Sequence, residues 1–128
     1  MSKAFLEHVN LTVSDPAATA KLLCDLFGWH IRWHGDAKDN GTTYHVGTDD
    51  SYVAVYTRDG KASGAAPDPA AFRAGLNHVG IVVDDLDAVE ARVKAAGLEP
   101  HSHASYEPGR RFYFDDADGV EFEVVSYA

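Results

Sequence analysis

The sequence predicts an α+β fold built from two copies of one βαβββ module. The first observation is a repeat, because residues 6–15 (LEHVNLTVSD) align without a gap on residues 76–85 (LNHVGIVVDD), with His8 falling on His78. The second is the order of elements, since each copy continues from an alternating strand into a helix and then into three strand-like segments. These observations together indicate two equivalent modules that form a cupped mixed sheet.

The opening strand of the first module alternates between two faces. Its aliphatic side chains take the packing face, whereas His8 lies on the opposite, mixed face. The packing residues are Val9, Leu11 and Val13. Asp15 then caps a helix that begins at Pro16 and ends at Gly28. Three strands are predicted after it, at residues 29–34, 42–46 and 51–56.

The second module repeats this order. His78 lies on the mixed face of its first strand, and either Asp84 or Asp85 caps a helix that ends at Gly97. The packing residues of the strand are Val79, Ile81 and Val83. Three further strands are predicted at residues 98–103, 110–114 and 120–126. The modules therefore span residues 1–56 and 76–128. A polar, proline-containing linker joins them at residues 57–75, and one helical turn is predicted within it at residues 68–72.

Composition limits the classes of partner. The chain has 128 residues, is 45% hydrophobic and carries a formal net charge of -9, so phosphate-rich nucleic acids and anionic membrane surfaces would repel it. Cys24 is the one cysteine, which rules out an intrachain disulfide and favours a reducing compartment. With no apolar run of membrane-spanning length and no signal peptide, we expect a cytoplasmic protein that binds small molecules.

The last predicted strand places acidic side chains on one face. Strict alternation over residues 120–125 sends the two valines and the phenylalanine of VEFEV to the packing face, and Glu121 and Glu123 to the other face. If Glu123 shares a concavity with His8 and His78, the site contains two imidazoles and one carboxylate. This donor set binds divalent metals and leaves coordination positions open. Glu121 is expected to be a solvated residue at the rim.

The duplicated module, its two His-Val strands and the DADGVEFE ending at residues 116–123 resemble the vicinal oxygen chelate superfamily. That group includes glyoxalase I, extradiol dioxygenases, fosfomycin resistance proteins and bleomycin resistance proteins. The resemblance covers essentially the whole chain and implies a glyoxalase-like fold with a divalent metal ion (Zn, Ni, Mn or Fe) held by His8, His78 and Glu123. The counterpart of Glu123 in the first module is Ala54, which argues against the four-ligand glyoxalase I and epimerase types.

The resemblance implies a metal-dependent enzyme that chelates a small oxygenated substrate through two oxygens, of the lyase, isomerase, transferase or dioxygenase type. Glu123 would ligate the metal and balance part of its charge. Tyr113 or His45 would act as the proton shuttle. Arg111 would contact an anionic group of the substrate. The alternative is a metal-free binding protein of the bleomycin resistance type. Its cavity would be lined by Trp29, Trp33, Tyr52, Tyr56 and Tyr113.

Two open modules would expose sheet edges and apolar faces, so we expect a homodimer whose sites are built across two chains. In short members of the resembled superfamily, modules from different chains often pair. His8 of one subunit would then meet His78 and Glu123 of the other.

The remaining histidines are expected to be surface residues. His101 and His103 form an i, i+2 pair that predicts a shared face, and no carboxylate is expected in register with them. His30 and His34 receive the same interpretation.

Overall fold

The computed structural model of the chain describes residues 2–59, 64 and 67–128. The chain divides into two compact units, residues 1–63 and 64–128, and each unit contains one βαβββ module. The elements of the first are β1 (His8–Thr12), α1 (Pro16–Phe27), β2 (His30–Ala37), β3 (Gly41–Gly47) and β4 (Tyr52–Thr57). Those of the second are β5 (Val79–Val82), α2 (Leu86–Ala95), β6 (His101–Tyr106), β7 (Gly109–Asp115) and β8 (Glu121–Ser126). The predicted α+β fold is confirmed.

Each unit forms a four-stranded mixed sheet in which the last strand lies inside the sheet. The order is β1-β4-β3-β2 in the first unit and β5-β8-β7-β6 in the second. The last strand pairs in parallel with the first strand of its module and antiparallel with the third. Both strands that flank β8 therefore present side chains next to those of β8, which is the strand that carries Glu123.

The first unit packs α1 against one face of its sheet. Asp15 caps the helix by accepting a hydrogen bond from the backbone N–H of Ala18 at 3.1 Å. Gly28 ends it in the left-handed region, at a φ of 69°, and donates its N–H to the Cys24 carbonyl. The packing face that the sequence predicts for β1 is confirmed by the burial of Leu11 and Val13. Side chains with relative exposure of 1% or less join them: Ala20, Leu23, Leu26, Val46 and Val55.

The second unit has an aromatic core between its sheet and α2. Phe112, Phe114 and Phe122 are each 0% exposed, and the rings of Phe114 and Phe122 stack with centroids 5.1 Å apart. Asp85, rather than Asp84, caps α2 by accepting from the Ala88 N–H at 3.0 Å. Since Phe122 faces the helix, the neighbouring Glu121 and Glu123 lie on the opposite face, which we call the open face.

Strand β6 begins three residues later than the alternation predicts. Leu98 is still tied to the end of α2, because its N–H bonds to the Val93 carbonyl at 3.2 Å, and Pro100 has no N–H to donate to a ladder. The β6–β7 register then shifts between His101 and Ala104, with Ser102 at a φ of 56°. The helical turn predicted at residues 68–72 is a pair of turns instead, closed by Ala71 N–H to Asp68 O and Gly75 N–H to Phe72 O.

Candidate metal centre

His78 and Glu123 lie side by side on the open face of the second unit. Strands β5 and β8 run parallel with Gly80 opposite Glu123, so the histidine just before β5 reaches the carboxylate. His78 Nε2 lies 3.1 Å from Glu123 Oε1, and the Glu123 side chain is only 13% exposed. Two ligands of one ion at ~2.1 Å bond length lie roughly 3.0–3.5 Å apart, so this pair already has the separation that metal ligation needs.

The second oxygen of Glu123 is held by Arg111. The guanidinium donates from Nη1 to Glu123 Oε2 at 2.7 Å and stacks over the Tyr106 ring at 4.7 Å. This pairing raises the pKa of Arg111, chiefly through the hydrogen bond to Glu123. Arg111, which the sequence suggests as a contact for substrate, therefore fixes the orientation of Glu123 and leaves Oε1 directed at His78.

Tyr113 lies directly opposite Glu123 in the β7–β8 ladder. Its ring meets the His78 ring edge-on, with centroids 5.7 Å apart. Burial, followed by the charge of Glu123, raises the pKa of the Tyr113 phenol. The hydroxyl is consequently protonated at neutral pH and is able to donate a proton or a hydrogen bond at this end of the site.

Both repeat histidines have the same side-chain support. His8 Nδ1 lies 2.8 Å from Oε1 of Glu7, and His78 Nδ1 lies 2.8 Å from Oδ1 of Asn77. Because these oxygens accept hydrogen bonds, Nδ1 of each ring is the donor and Nε2 is left for another partner. The bond from His8 also lowers the pKa of Glu7. Sequence reasoning missed Glu7 and Asn77, although each directly precedes a repeat histidine.

The sheet face of the first unit that carries His8 is aromatic around that residue. Tyr52 stacks against His8 at 4.8 Å and against His45 at 4.6 Å, and the Arg32 guanidinium lies 4.5 Å from the Tyr52 ring centre. Burial, followed by the charge of His8, lowers the pKa of His45, so its imidazole is neutral at pH 7. Position 54 is a buried alanine opposite His45, and no carboxylate occupies the place that Glu123 has in the second unit.

Other residues predicted to line a cavity have local partners. The Tyr56 hydroxyl donates to the Lys38 carbonyl at 2.9 Å, and the Trp29 ring contacts that of Phe27. Trp33 is 51% exposed and packs at an angle on His45. Among these residues, Trp33 therefore has the most exposed ring.

The predicted shared face of His101 and His103 is wrong. The irregularity at Ser102 turns the two rings to opposite sides of the sheet. His103 Nε2 lies 3.0 Å from Glu90 of α2, whereas the His101 ring stacks on Tyr113 of the open face. A carboxylate does lie in register, because His101 Nε2 is 3.5 Å from Oδ2 of Asp115. Together with Glu121, these two residues bring three potential metal-ligand atoms within 4.8 Å of one another.

Comparison with known proteins places the chain in a family. Residues 5–124 match the model of the glyoxalase/bleomycin resistance protein/dioxygenase superfamily. The chain belongs to this superfamily. Within the described ranges, no helix is long and apolar enough to cross a membrane.

Solved structures with the same fold cover nearly the whole chain. A glyoxylase/bleomycin resistance protein/dioxygenase domain from Frankia sp. EAN1pec is 22% identical, with a TM-score of 0.81 and 98% of each chain covered. A glyoxalase family protein from Enterococcus faecalis is 18% identical, with a TM-score of 0.76 and coverage of 94% of this chain and 96% of that one. A mutant of the fosfomycin resistance protein FosX from Listeria monocytogenes, complexed with Mn(II) and 1S,2S-dihydroxypropylphosphonic acid, is 20% identical, with a TM-score of 0.72 and coverage of 97% and 93%. The search of curated proteins found no match.

Proposed function

We propose that the chain is a metal-dependent enzyme of this superfamily that acts on a small substrate with two neighbouring oxygen atoms. The ligands are Nε2 of His8, Nε2 of His78 and Oε1 of Glu123. The observation that carries the proposal is the matching support of the two histidines, each held at Nδ1 by an oxygen of the preceding residue. A histidine that donates its second ring N–H to a carboxylate or carbonyl oxygen is typical of metal sites, because that bond fixes the ring and the tautomer.

The donor set suits a divalent ion such as Zn, Ni, Mn or Fe. The Mn(II) complex of the FosX mutant supports this choice, since that protein has the same fold. With Ala54 in the fourth position, three protein ligands leave room for two substrate oxygens. When bound, the ion supplies Lewis acidity to a carbonyl, diol or enolate oxygen of the substrate.

The protein residues around the site then have separate roles. The Tyr113 hydroxyl stays protonated at neutral pH because its pKa is raised, and it serves as the hydrogen-bond and proton donor to the substrate. The His45 imidazole is neutral at the same pH because its pKa is lowered, so a ring nitrogen is available to accept a proton. Arg111 acts as a positioning residue that keeps Oε2 of Glu123 occupied and Oε1 free. Tyr52 contributes an aromatic contact for the substrate from the first unit.

Metal counting tests the proposal. Protein purified without a histidine tag is dialysed against a defined free concentration of Mn²⁺ or Zn²⁺, and bound metal per chain is measured by mass spectrometry. His78→Ala and Glu123→Ala should each lose one equivalent relative to the unchanged chain. His34→Ala and Glu99→Ala are matched controls on exposed positions and should lose none. Retention of the full metal content in both site variants would contradict the assignment.

We further propose that the complete site forms between the modules of two chains in a homodimer. The stretch between β4 and β5 contains 21 residues (79 − 57 − 1), and an extended chain reaches ~3.3 Å or more per residue, so exchange of modules between chains is sterically allowed. A chain carrying His8→Ala is mixed with one carrying Glu123→Ala under subunit exchange. Shared sites restore one intact site per mixed dimer, whereas sites within one chain restore none. Sedimentation as a monomer at micromolar concentration would refute the dimer.

The second candidate is a metal-free binding protein of the bleomycin resistance type. The stack of His8, Tyr52 and His45 with Arg32 favours it, because such a surface binds planar or aromatic ligands without any metal. The metal-counting experiment separates the candidates. A binding protein keeps ligand affinity in His78→Ala and Glu123→Ala, while the enzyme loses both metal and turnover.

A further inference from the structure

A second group of metal-ligand side chains lies on the open face of the second unit. His101 comes from the start of β6, Asp115 from the end of β7 and Glu121 from the start of β8. One nitrogen and two carboxylate oxygens of these residues lie within 4.8 Å of one another. The His101 Nε2 to Asp115 Oδ2 separation of 3.5 Å is close to the roughly 3.0–3.5 Å that two ligands of one ion adopt.

One ring nitrogen of His101 lacks a hydrogen-bond partner among the described residues. Its Nε2 is buried and has no hydrogen-bond partner within residues 2–59, 64 and 67–128, because its approach to Asp115 does not have hydrogen-bond geometry. A buried polar nitrogen without a partner costs free energy, so an occupant that satisfies it is favoured. Nδ1 lies 2.8 Å from the Ser102 hydroxyl, and the ring stacks on Tyr113. The ring is thus held in place through its other nitrogen, as in histidines that bind metals.

The two carboxylates are a second, independent reason for a cation. Asp115 and Glu121 are directly paired across the antiparallel β7–β8 ladder. Like charges at directly opposed positions of a sheet repel each other and destabilise it. A divalent ion bound by both carboxylates would offset this repulsion.

This group is separate from the site at Glu123. Glu121 and Glu123 are two residues apart on β8, so their backbones are about 6.6 Å apart along the strand. Glu123 belongs to the first group, because its Oε1 lies beside His78 and its Oε2 accepts from Arg111. The two groups share no ligand, so each would hold its own ion.

We propose that His101, Asp115 and Glu121 form a second divalent-cation site, with Zn²⁺ as the probe that suits one imidazole and two carboxylates. The equivalent ladder position of the first unit pairs Gly47 with Tyr52, neither of which supplies a comparable ligand, so the site belongs to the second module alone. The proposal is independent of the function proposed above. It requires only side chains of one sheet.

Zinc counting in the Glu123→Ala background isolates the second site. The full chain carrying Glu123→Ala is dialysed against micromolar free Zn²⁺ and analysed by mass spectrometry, with thermal unfolding measured in parallel. We expect one zinc per chain and a higher midpoint of unfolding with zinc than without it. Adding His101→Ala or the near-isosteric Asp115→Asn should remove both effects. Adding His103→Ala, the matched histidine on the opposite face, should leave both intact.

The outcomes separate this proposal from the first one. A single His101→Ala variant should keep the zinc of the Glu123 site, which also shows that the variant is folded. If the unchanged chain binds one zinc and Glu123→Ala binds none, the second site is refuted and the first stands. If Glu123→Ala binds as much zinc as the unchanged chain and His101→Ala binds less, the first site is refuted and the second stands. If Glu123→Ala binds the same amount of zinc with and without the added His101→Ala change, His101 and Asp115 form only an ion pair, and the proposal is overturned.

Discussion

Replacement of Phe122 by alanine tests how firmly β8 is anchored. Phe122 is 0% exposed and stacks on Phe114 with ring planes 11° apart. A buried phenylalanine removes ~150–200 Å² from water, which at ~25 cal/mol per Å² corresponds to about 4–5 kcal/mol, and the alanine that replaces it keeps part of that burial. The cavity left behind and the lost ring contact act in the same direction, and measured losses for such truncations are about 3–5 kcal/mol. We therefore expect Phe122→Ala to lower the free energy of unfolding by about 4 kcal/mol.

The assay is urea denaturation at 25 °C, followed by far-UV circular dichroism, with a matched control of identical chemistry. Phe72 is 61% exposed, so Phe72→Ala should cost less than about 0.5 kcal/mol. Phe122→Leu keeps most of the volume and should cost about 1–1.5 kcal/mol. The reasoning is refuted if the two alanine variants differ by less than about 1 kcal/mol, because the burial assigned to β8 would then be absent in solution.

Two further predictions concern single side chains. Ala54→Glu places a carboxylate at a position only 3% exposed, so without metal it should destabilise the chain by about 3 kcal/mol. Mn²⁺ should restore the stability and should bind more tightly than to the unchanged chain. Activity should fall, because the new carboxylate fills a coordination position that the substrate needs. Thermal unfolding with and without Mn²⁺ checks this, and destabilisation that metal does not reverse would count against it. Burial raises the pKa of the Cys24 thiol, so at pH 8 it should react with a disulfide reagent more slowly than free cysteine and rapidly after unfolding in urea. Equal rates in the folded and unfolded chain would contradict this.

The fold could be predicted because the sequence signals for it are local and occur twice. Alternation in residues 6–15 and 76–85, the Asp15 cap and the Gly28 stop each depend on neighbouring residues only. Strand parity also placed Glu123 on the face opposite Phe122, and the ladder confirms that parity. Tyr113, which the resemblance suggests as a proton shuttle, lies directly opposite Glu123 in the ladder.

The details of the second site could not be predicted, because they depend on where alternation breaks. A single irregular residue, Ser102, reverses the face of every later side chain in β6, and nothing in HSHAS marks it. The link between Arg111 and Glu123 was missed for a different reason. Their positions in the ladder are offset diagonally, since Arg111 pairs with Val125, and only the length of the arginine side chain brings them together.

The place of β8 in its sheet constrains the order in which the second module folds. This strand is synthesised after β5, β6 and β7, yet it lies between β5 and β7. Until β8 inserts, those two strands have no common neighbour, and His78 has no carboxylate beside it. A growing chain therefore cannot assemble either of the proposed metal-ligand groups early, since Glu121 and Glu123 both arrive with this strand. Closing the sheet requires pairing between segments far apart in sequence, which is a slow step in folding. Metal capture would then report that the second module has finished folding rather than help to start it.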